Sequence, residues 1–232
     1  MHSFTSFAVV ALAGLATAAP HPKRTNVDAY NTYTGDGSTG AGWPAIESWG
    51  SFDELWNANY PLMQQSCGWN GWGADNSAQE IADIQTAIQS VSSSTGMDNR
   101  FVLAVMMQES KGCVRVPTTN NGVVNPGLFQ SHNGAGTCAG VNPCPASSIL
   151  QMVTDGVAGT ADGDGLKQTF ATASSSMGDS GARGYYGAAR LYNSGSLDIT
   201  NLGNGFTSVA CYSSDVANRL TGWTLATSTC SL

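Results

Sequence analysis

The sequence predicts a mainly α fold: a single helical domain with an irregular or short β segment next to one helix. Two observations predict it. Apolar residues recur at helical spacing in six stretches, whereas residues 112–145 are rich in Gly, Asn, Pro and Thr and carry only short apolar pieces. Roughly 200 residues remain after the N-terminal processing signals, a length that suits one domain with one core.

The N-terminus carries the marks of export. Residues 1–19 have an apolar centre and end in small residues, which is typical of a signal peptide. Residues 20–24 end in the dibasic pair Lys23-Arg24, so we expect a short propeptide and a mature chain that begins near Thr25. The apolar centre is too short to cross a membrane, and no later segment approaches about 20 apolar residues. We therefore expect a secreted, extracellular protein.

The charge pattern excludes several classes of partner. Without Lys23 and Arg24, seven Lys and Arg stand against 16 Asp and Glu, a net charge of about −9. An acidic chain without a basic cluster argues against nucleic acid and against anionic membrane surfaces. His132 is the only histidine of the expected mature chain. A metal site built from several histidines is therefore hard to form, and any Ser-His-Asp triad would have to use His132 as its base. We expect a monomer with no metal and no cofactor.

Six cysteines in an exported chain predict up to three disulfides. Zinc ligation is the poorer interpretation, because no CxxC or Cys/His spacing occurs. Six cysteines allow about fifteen pairings, so the sequence leaves the alternatives open. One candidate set is Cys138–Cys144, Cys211–Cys230 and, by what remains, Cys67–Cys113.

Residues 25–76 are predicted to be an N-terminal extension packed on the domain. Residues 25–42 show no periodicity and suit an extended lead-in. We favour the interpretation that the tryptophans after it pin this segment to the domain. The alternative is that one or two of them line a carbohydrate groove, where an aromatic face stacks on sugar C–H groups. The five are Trp43, Trp49, Trp56, Trp69 and Trp72.

The helical stretches begin with capping signals. Ser77 and Glu80 form a capping box for a helix that runs to about Ser92. Asp98 is the predicted N-cap of the next helix, which stops at Gly112. Four further helices are predicted at about 146–158, 164–175, 182–193 and 207–221.

Glu109 occupies an unusual place for a carboxylate. It ends a strongly apolar helix, on the same face as Met106 and Val102. The helix C-terminus disfavours an anion there, and burial against apolar side chains also raises the pKa of a carboxyl group. A raised pKa is what a general acid needs near neutral pH. The alternative is a surface glutamate whose partner is Lys111 or Arg115.

Three short motifs follow one another along the chain. In this order they resemble the soluble lytic transglycosylase and goose-type lysozyme family, whose pattern is Glu-Ser, then Gly-Leu-Met-Gln, then Tyr-Asn-Ala-Gly. The resemblance covers roughly residues 77–221, and we assign residues 77–232 to a lysozyme-like catalytic domain. It implies an α+β lysozyme-like fold and cleavage of β-1,4 linkages in peptidoglycan. The motifs are Gln108-Glu109-Ser110, Gly127-Leu128-Phe129-Gln130 and Leu191-Tyr192-Asn193-Ser194-Gly195.

The resemblance also implies roles for single residues. Glu109 matches the family's catalytic acid, which protonates the glycosidic oxygen. Tyr192 matches the motif tyrosine close to that acid, and Asn193 matches the residue that holds the turn. Ser110 fits a structural role as well as a substrate contact. The implied substrate-binding residues are Ser110, Leu128, Phe129, Gln130, Tyr192 and Asn193.

The loop after Glu109 lacks a second carboxylate. Glycoside hydrolysis usually employs two, yet residues 112–140 contain neither Asp nor Glu. The family's lytic members are understood to use one glutamate as acid and then base, with the substrate's acetamido or 6-hydroxyl group as the internal nucleophile. We favour that mechanism. The alternative is an aspartate brought in from Asp155, Asp162, Asp164 or Asp179.

Charge also bears on the substrate. Bacterial walls are polyanionic, so an acidic chain is better matched to neutral chitin or to cationic, partly deacetylated chitosan. The family resemblance still favours peptidoglycan, which shares the β-1,4-linked N-acetylglucosamine unit. Two rival hypotheses belong to other classes. One is a secreted glycan-binding or effector protein that kept the scaffold and lost turnover, and the other is a disulfide-stabilised structural protein.

Overall fold

The structure is a computed structural model that describes residues 27–231; the expected signal peptide at 1–19 and propeptide at 20–24 lie outside the described residues. The described chain is mainly helical and forms one domain, as predicted, with a single antiparallel pair of short strands among its described residues. The strands are β1 (Thr119–Asn120) and β2 (Val124–Asn125). The helices are α1 (Phe52–Met63), α2 (Ser66–Trp69), α3 (Ala78–Thr95), α4 (Asn99–Ser110), α5 (Ala146–Ala158), α6 (Leu166–Met177), α7 (Ala182–Ser194) and α8 (Tyr212–Leu220).

Helix α4 runs through the middle of the core. Residues Phe101–Met107 are all buried, so the helix is apolar on every side, which is the pattern of a central helix. It packs against α1, α3 and α8. The Asp98 carboxylate accepts a hydrogen bond from Arg100 N at 2.9 Å, which confirms the predicted N-cap. This packing fixes the position of the C-terminal end of α4, where Glu109 lies.

Helices α6 and α7 pack closely against each other because α7 carries glycines on the contacting face. A Cβ added to Gly187 would lie 2.3 Å from Met177 Sδ, and one on Gly184 would lie 2.3 Å from the Asp179 carbonyl oxygen. Larger residues would therefore separate the two helices. Helix α7 also contacts α8, and α3 contacts α5.

The N-terminal segment contains two helices, α1 and α2, that the apolar periodicity did not predict. Helix α1 begins with a capping box in which Ser51 Oγ accepts from Glu54 N at 3.3 Å and Glu54 Oε2 accepts from Ser51 N at 2.8 Å. Trp49 is buried, and its indole N–H donates to Tyr186 on α7 at 2.9 Å. Trp43 and Trp56 are buried as well, whereas Trp69 is 58% exposed.

The segment between α4 and α5 is irregular apart from β1 and β2, in agreement with the prediction, and a buried ion pair holds it to α3. Arg115 donates to Glu80 at 2.5 Å, and Glu80 Oε1 also accepts from Cys144 N at 2.7 Å. Burial raises the pKa of Glu80, but the hydrogen bonds from Arg115, Cys144 and Ser77 outweigh it and lower that pKa. Arg115 is therefore committed to Glu80 and is not the partner of Glu109.

Three disulfides are present, and they are the candidate set. They join Cys67 to Cys113, Cys138 to Cys144 and Cys211 to Cys230. The first ties α2 to the segment after α4, and the last ties the C-terminal tail to the residue before α8. The Cys67–Cys113 loop encloses α3 and α4, and the Cys211–Cys230 loop encloses α8, so each link restricts the unfolded chain around part of the helical framework.

Helix α8 starts at Tyr212, five residues later than predicted. Residues 203–210 form turns instead, with Gly203 N and Phe206 N donating to the side chains of Asn201 and Asn204. The other predicted helices end within about three residues of their expected positions, the usual uncertainty of helix ends. Within residues 27–231, no helix has the length and apolar character needed to cross a membrane.

Candidate active site

Glu109 lies in the last turn of α4 and has one hydrogen-bond partner among the described residues. Tyr212, the first residue of α8, donates its phenolic proton to Glu109 Oε1. Tyr212 is buried, while the Glu109 side chain is partly exposed. The partnership fixes one carboxyl oxygen and leaves Oε2 without a hydrogen bond from residues 27–231.

The surroundings of Glu109 raise the pKa of its carboxyl group to about 7. Burial is the largest cause, while the Tyr212 hydrogen bond and the charge of Lys111 lower the pKa without offsetting burial. Burial and the charge of Glu109 in turn raise the pKa of Tyr212 well above its usual value, so the phenol stays a donor. A carboxyl group that titrates near neutral pH can give up a proton and take one back, as a general acid and base must.

Lys111 terminates the helix in a left-handed conformation with φ of 55°. Its ammonium donates to the Gln108 carbonyl oxygen at 3.3 Å, and no ion pair joins it to Glu109 within the described residues. Burial and the nearby charge of Arg219 lower the pKa of Lys111 to about 8. The alternative interpretation, a surface glutamate paired with Lys111 or Arg115, does not fit these contacts.

Tyr192 links the second and third motifs to the first. Its hydroxyl donates to the Phe129 carbonyl oxygen at 2.9 Å. Burial raises the pKa of Tyr192, and the charge of Glu109 raises it further. The hydrogen bond joins the third motif to the second, and Glu109 of the first motif acts on Tyr192 through its charge.

The Gly-Leu-Phe-Gln motif contributes its backbone more than its side chains. Leu128 and Phe129 are fully buried. Gln130 adopts φ of 48°, and its side chain folds back on its own loop. Its amide accepts from Thr119 Oγ1 at 2.9 Å and donates to the Gly127 carbonyl oxygen at 3.1 Å. Gln130 therefore holds the strand pair in place while its exposed part lines the cleft.

Ser110 and Asn193 have structural partners. The Ser110 hydroxyl is fully buried, donates to the Met106 carbonyl oxygen at 3.1 Å and accepts from Gly112 N at 3.1 Å. Ser110 thus helps to end α4 and is not in the wall of the cleft, which agrees with the structural one of its two expected roles. Asn193 Oδ1 accepts a hydrogen bond from the buried Arg190 guanidinium, and Asn193 also lines the cleft.

A cleft of about 850 Å³ opens beside Tyr192. Residues 123–132, residues 160–164, α6 and α7 enclose it. Three of the expected site residues, Gln130, Tyr192 and Asn193, are in its wall. Glu109 does not line this cleft and is connected to it through Tyr192.

No protein-family model, curated protein or solved structure matches this chain. The relationship to the transglycosylase and lysozyme family therefore stays a prediction that depends on the three motifs.

The four aspartates considered as a second carboxylate have separate positions. Asp155 is buried and accepts from Ala135 N and Gly136 N, both at 2.8 Å, so it shapes the loop. Asp179 accepts from Gly181 N at 2.6 Å ahead of α7. Asp162 and Asp164 line the cleft. Among the described residues no other carboxylate contributes to the pKa of Glu109.

The sequence did not reveal a polar cluster that lies beside the candidate acid. Gln108 donates to Asp215 Oδ2 at 2.9 Å and accepts from Arg219 Nε at 2.8 Å. Tyr30, from the N-terminal segment, donates to Asp215 Oδ1 at 2.6 Å. Tyr212 has helical spacing with Val216 and Leu220, which is the pattern of a core residue, and only the fold shows that its hydroxyl contacts Glu109. In the described part of the chain, no group of three His, Cys, Asp or Glu is placed to hold a metal ion.

Proposed function

We propose that this chain is a secreted lysozyme-like glycosidase or lytic transglycosylase that cleaves β-1,4 linkages in peptidoglycan, with Glu109 as its single general acid and base. One observation carries the proposal. The Glu109 carboxyl, whose pKa is raised to about 7, accepts a hydrogen bond from Tyr212, and its charge acts on Tyr192, which lines the cleft. A proton donor that titrates near neutral pH beside a substrate-sized cleft is a typical catalytic arrangement.

The proposed reaction uses one carboxyl group twice. Protonated Glu109 delivers its proton to the glycosidic oxygen as the bond from that oxygen to the anomeric carbon breaks. The acetamido oxygen of the same sugar bonds to the anomeric carbon and compensates its charge. The Glu109 carboxylate then removes a proton from water or from the 6-hydroxyl group, whose oxygen bonds to the anomeric carbon as the bond to the acetamido oxygen breaks. Water gives hydrolysis, and the 6-hydroxyl group gives an anhydro sugar. The Tyr212 hydroxyl stabilises the carboxylate formed between the two steps.

The lone-glutamate form of the mechanism is supported by the charges around Glu109. Only burial, Tyr212 and Lys111 set its pKa among the described residues. In enzymes with two carboxylates the pair lies within about 10 Å, where a second negative charge raises the pKa of the acid further. Asp162 and Asp164 have no such effect on Glu109, although they line the cleft.

Chitin or partly deacetylated chitosan is the second candidate substrate. The lining of the cleft contains Asp162 and Asp164 but neither Lys nor Arg among the described residues. Such a cleft does not attract an anionic polymer, and it suits a neutral or cationic one. Both polymers contain β-1,4-linked glucosamine units, so the same acid would serve either.

The test is product analysis by mass spectrometry with peptidoglycan and with N-acetylchitooligomers. We expect the wild-type protein to release products and Glu109→Gln to lose about 10²–10⁴-fold in rate. Glu47→Gln, at an exposed glutamate of the short helical turn Ile46–Ser48, is the matched control and should retain full activity. An anhydro product is one water lighter than a hydrolytic one, so the same spectra identify the outcome.

Two results would overturn the proposal. Undiminished cleavage by Glu109→Gln would remove that residue from the chemistry. Saturable glycan binding by the wild-type protein with no product after long incubation would instead favour the glycan-binding or effector hypothesis.

A further inference from the structure

Arg190, on α7, is a fully buried cation that has no carboxylate partner within residues 27–231. Burial lowers the pKa of its guanidinium. A buried charge without a counter-ion destabilises a fold, so its presence calls for a specific role. The other arginines of the described chain each have an acidic neighbour. These pairs are Arg100–Asp98, Arg115–Glu80, Arg183–Asp36 and Arg219–Asp215.

The Arg190 guanidinium donates hydrogen bonds in two directions. One terminal nitrogen donates to the side-chain oxygen of Asn193, one turn further along α7 and in the wall of the cleft. The other donates to the carbonyl oxygens of Val209 at 2.9 Å and Ala210 at 3.3 Å, which end the turns ahead of α8. The planar, forked guanidinium thus joins the wall of the cleft to the segment that leads into α8.

The Val209 carbonyl group also connects Arg190 to the partner of the candidate acid. Its oxygen accepts from Arg190 and, at 3.2 Å, from Tyr212 N. Tyr212 in turn donates its phenolic proton to Glu109 Oε1. A continuous series of contacts therefore runs from Asn193 in the cleft, through Arg190 and the start of α8, to Glu109.

The segment ahead of α8 depends on Arg190 because its own apolar side chains are exposed. Phe206 is 50% exposed and Val209 is 55% exposed. Cys211, the N-cap of α8, donates or accepts no side-chain capping hydrogen bond. Segments with few buried apolar contacts open at low cost in free energy. The two carbonyl bonds to Arg190 thus fix where α8 begins, and with it the position of the Tyr212 side chain.

We propose that Arg190 is a positioning residue for the proton donor: its guanidinium holds the start of α8 so that the Tyr212 hydroxyl meets Glu109, and it ties that contact to Asn193 in the cleft. This inference rests on the proposed function, in which Glu109 is the acid. Arg190 itself does not line the cleft and so acts through Tyr212. Its charge works in the same sense, because it lowers the pKa of Tyr212 and so strengthens the phenol as a donor.

The experiment measures the pKa of Glu109 directly, by carbon NMR of protein labelled at its glutamate carboxyl groups. The sequence contains only four glutamates, and the signal that is missing from Glu109→Gln identifies Glu109. No substrate is present, so the measurement does not depend on turnover. We expect Arg190→Met to raise the pKa of Glu109 by about one pH unit, because it weakens the Tyr212 hydrogen bond that lowers this pKa.

A double-mutant cycle separates positioning from a general loss of structure. In a Tyr212→Phe background the hydroxyl is already missing, so Arg190→Met should change the pKa of Glu109 by less than about 0.3. Lys111 also lowers this pKa through its charge, and it is the same in all four proteins.

Arg183→Met is the matched control on the same helix. Arg183 also donates to backbone carbonyl oxygens, those of Asp36, Met177 and Ile199, but it has no contact with Tyr212 in the described chain. Its loss should lower the thermal stability of the protein and leave the pKa of Glu109 unchanged. If Arg190→Met does not fold, Arg190→Lys takes its place. One ammonium group cannot reproduce the forked contacts with Asn193 and the two carbonyl groups, so this variant should also raise the pKa of Glu109.

An unchanged pKa of Glu109 in a folded Arg190 variant would overturn the inference, as would equal shifts with and without the Tyr212 hydroxyl. These failures leave the proposed function standing if the wild-type protein cleaves peptidoglycan. If the wild-type protein cleaves nothing while the shift caused by Arg190→Met still requires Tyr212, Arg190 does position the Tyr212–Glu109 contact, and the catalytic proposal falls.

Discussion

Tyr212, the first residue of α8, donates its hydroxyl proton to Glu109 Oε1 at the end of α4. The two residues are 103 positions apart in sequence, and the contact between α4 and α8 brings them together. The neutral phenol stabilises the carboxylate without neutralising it, which leaves the group able to titrate. Changing this one contact should therefore change the pH at which Glu109 works.

Tyr212→Phe should raise the pKa of Glu109 above about 7, because it removes the hydrogen bond that lowers that pKa. A general acid loses activity as pH rises through its pKa, so the alkaline limb of kcat/KM should move upward by about one pH unit. The pH profile on a soluble oligosaccharide measures this. Tyr60→Phe, on α1, is the control and should leave the limb in place. A limb that stays where it was, or moves down, would contradict the role given to Tyr212.

Glu109 should also make the stability of the protein depend on pH. Its pKa is raised from 4.5 in the unfolded chain to about 7 in the fold, so the folded state binds the proton more tightly. The stabilisation of the folded state by this proton is fully present below pH 4.5 and is lost as pH rises to about 7. Over that window the loss is on the order of 3 kcal/mol.

Glu109→Gln should accordingly gain stability relative to the wild-type protein between pH 5 and pH 8, by on the order of 3 kcal/mol. Urea unfolding at a series of pH values measures the difference. The pKa of Lys111 is lowered from 10.5 to about 8, so the effect of Lys111 on the free energy of unfolding falls in the more alkaline range between these two pH values. A constant difference between the two proteins across pH 5–8 would show that the Glu109 carboxyl is not desolvated.

Local signals were sufficient to predict much of the helical framework. Asp98 and the Ser77–Glu80 capping box mark helix starts by contacts within three residues, so the sequence alone locates them. Helix α1 carries the same signal at Ser51–Glu54, yet Pro61 and the uneven apolar spacing concealed it. The end of α4 and its unusual glutamate were likewise readable from the chain.

The partners of the site were not predictable, because they come from distant parts of the chain. Arg115 is six residues from Glu109, yet it forms an ion pair with Glu80 on α3. The buried Glu80 carboxylate also accepts a hydrogen bond from Cys144 N. Tyr212 has the spacing of a core residue, and no local pattern indicates that its hydroxyl meets a carboxyl group. The spacing of residues in the sequence predicts which of them share a face of a helix, whereas these contacts depend on the angles and positions at which the helices cross.

Arg115→Met should destabilise the fold by about 3 kcal/mol, because it leaves the Glu80 carboxylate buried without its cation. Urea unfolding with an unchanged m-value measures the loss. The control Asp36→Asn removes the charge from the partly exposed pair with Arg183 while keeping an acceptor for Ser38 N, and it should cost at most about 1 kcal/mol. Equal losses in the two variants would contradict the anchoring role of the Glu80–Arg115 pair.

Asn193→Ala should lower kcat through the position of Tyr212 and not through lost substrate binding. Asn193 accepts a hydrogen bond from the buried Arg190, and Arg190 donates to the Val209 carbonyl oxygen at 2.9 Å, just ahead of α8. Without Asn193 the guanidinium loses an acceptor, and the residues that lead into Tyr212 lose part of their support. We expect kcat to fall about tenfold with KM unchanged.

Asn193→Asp gives this prediction its sharpest control, because a carboxylate keeps an acceptor for the Arg190 guanidinium and adds opposite charge. It should restore kcat to near the wild-type value, while Asn193→Ala should not. Steady-state kinetics of the two variants on one soluble substrate make the comparison. If Asn193 acts by contacting the sugar in the cleft that it lines, both variants raise KM instead, and the positioning role is wrong.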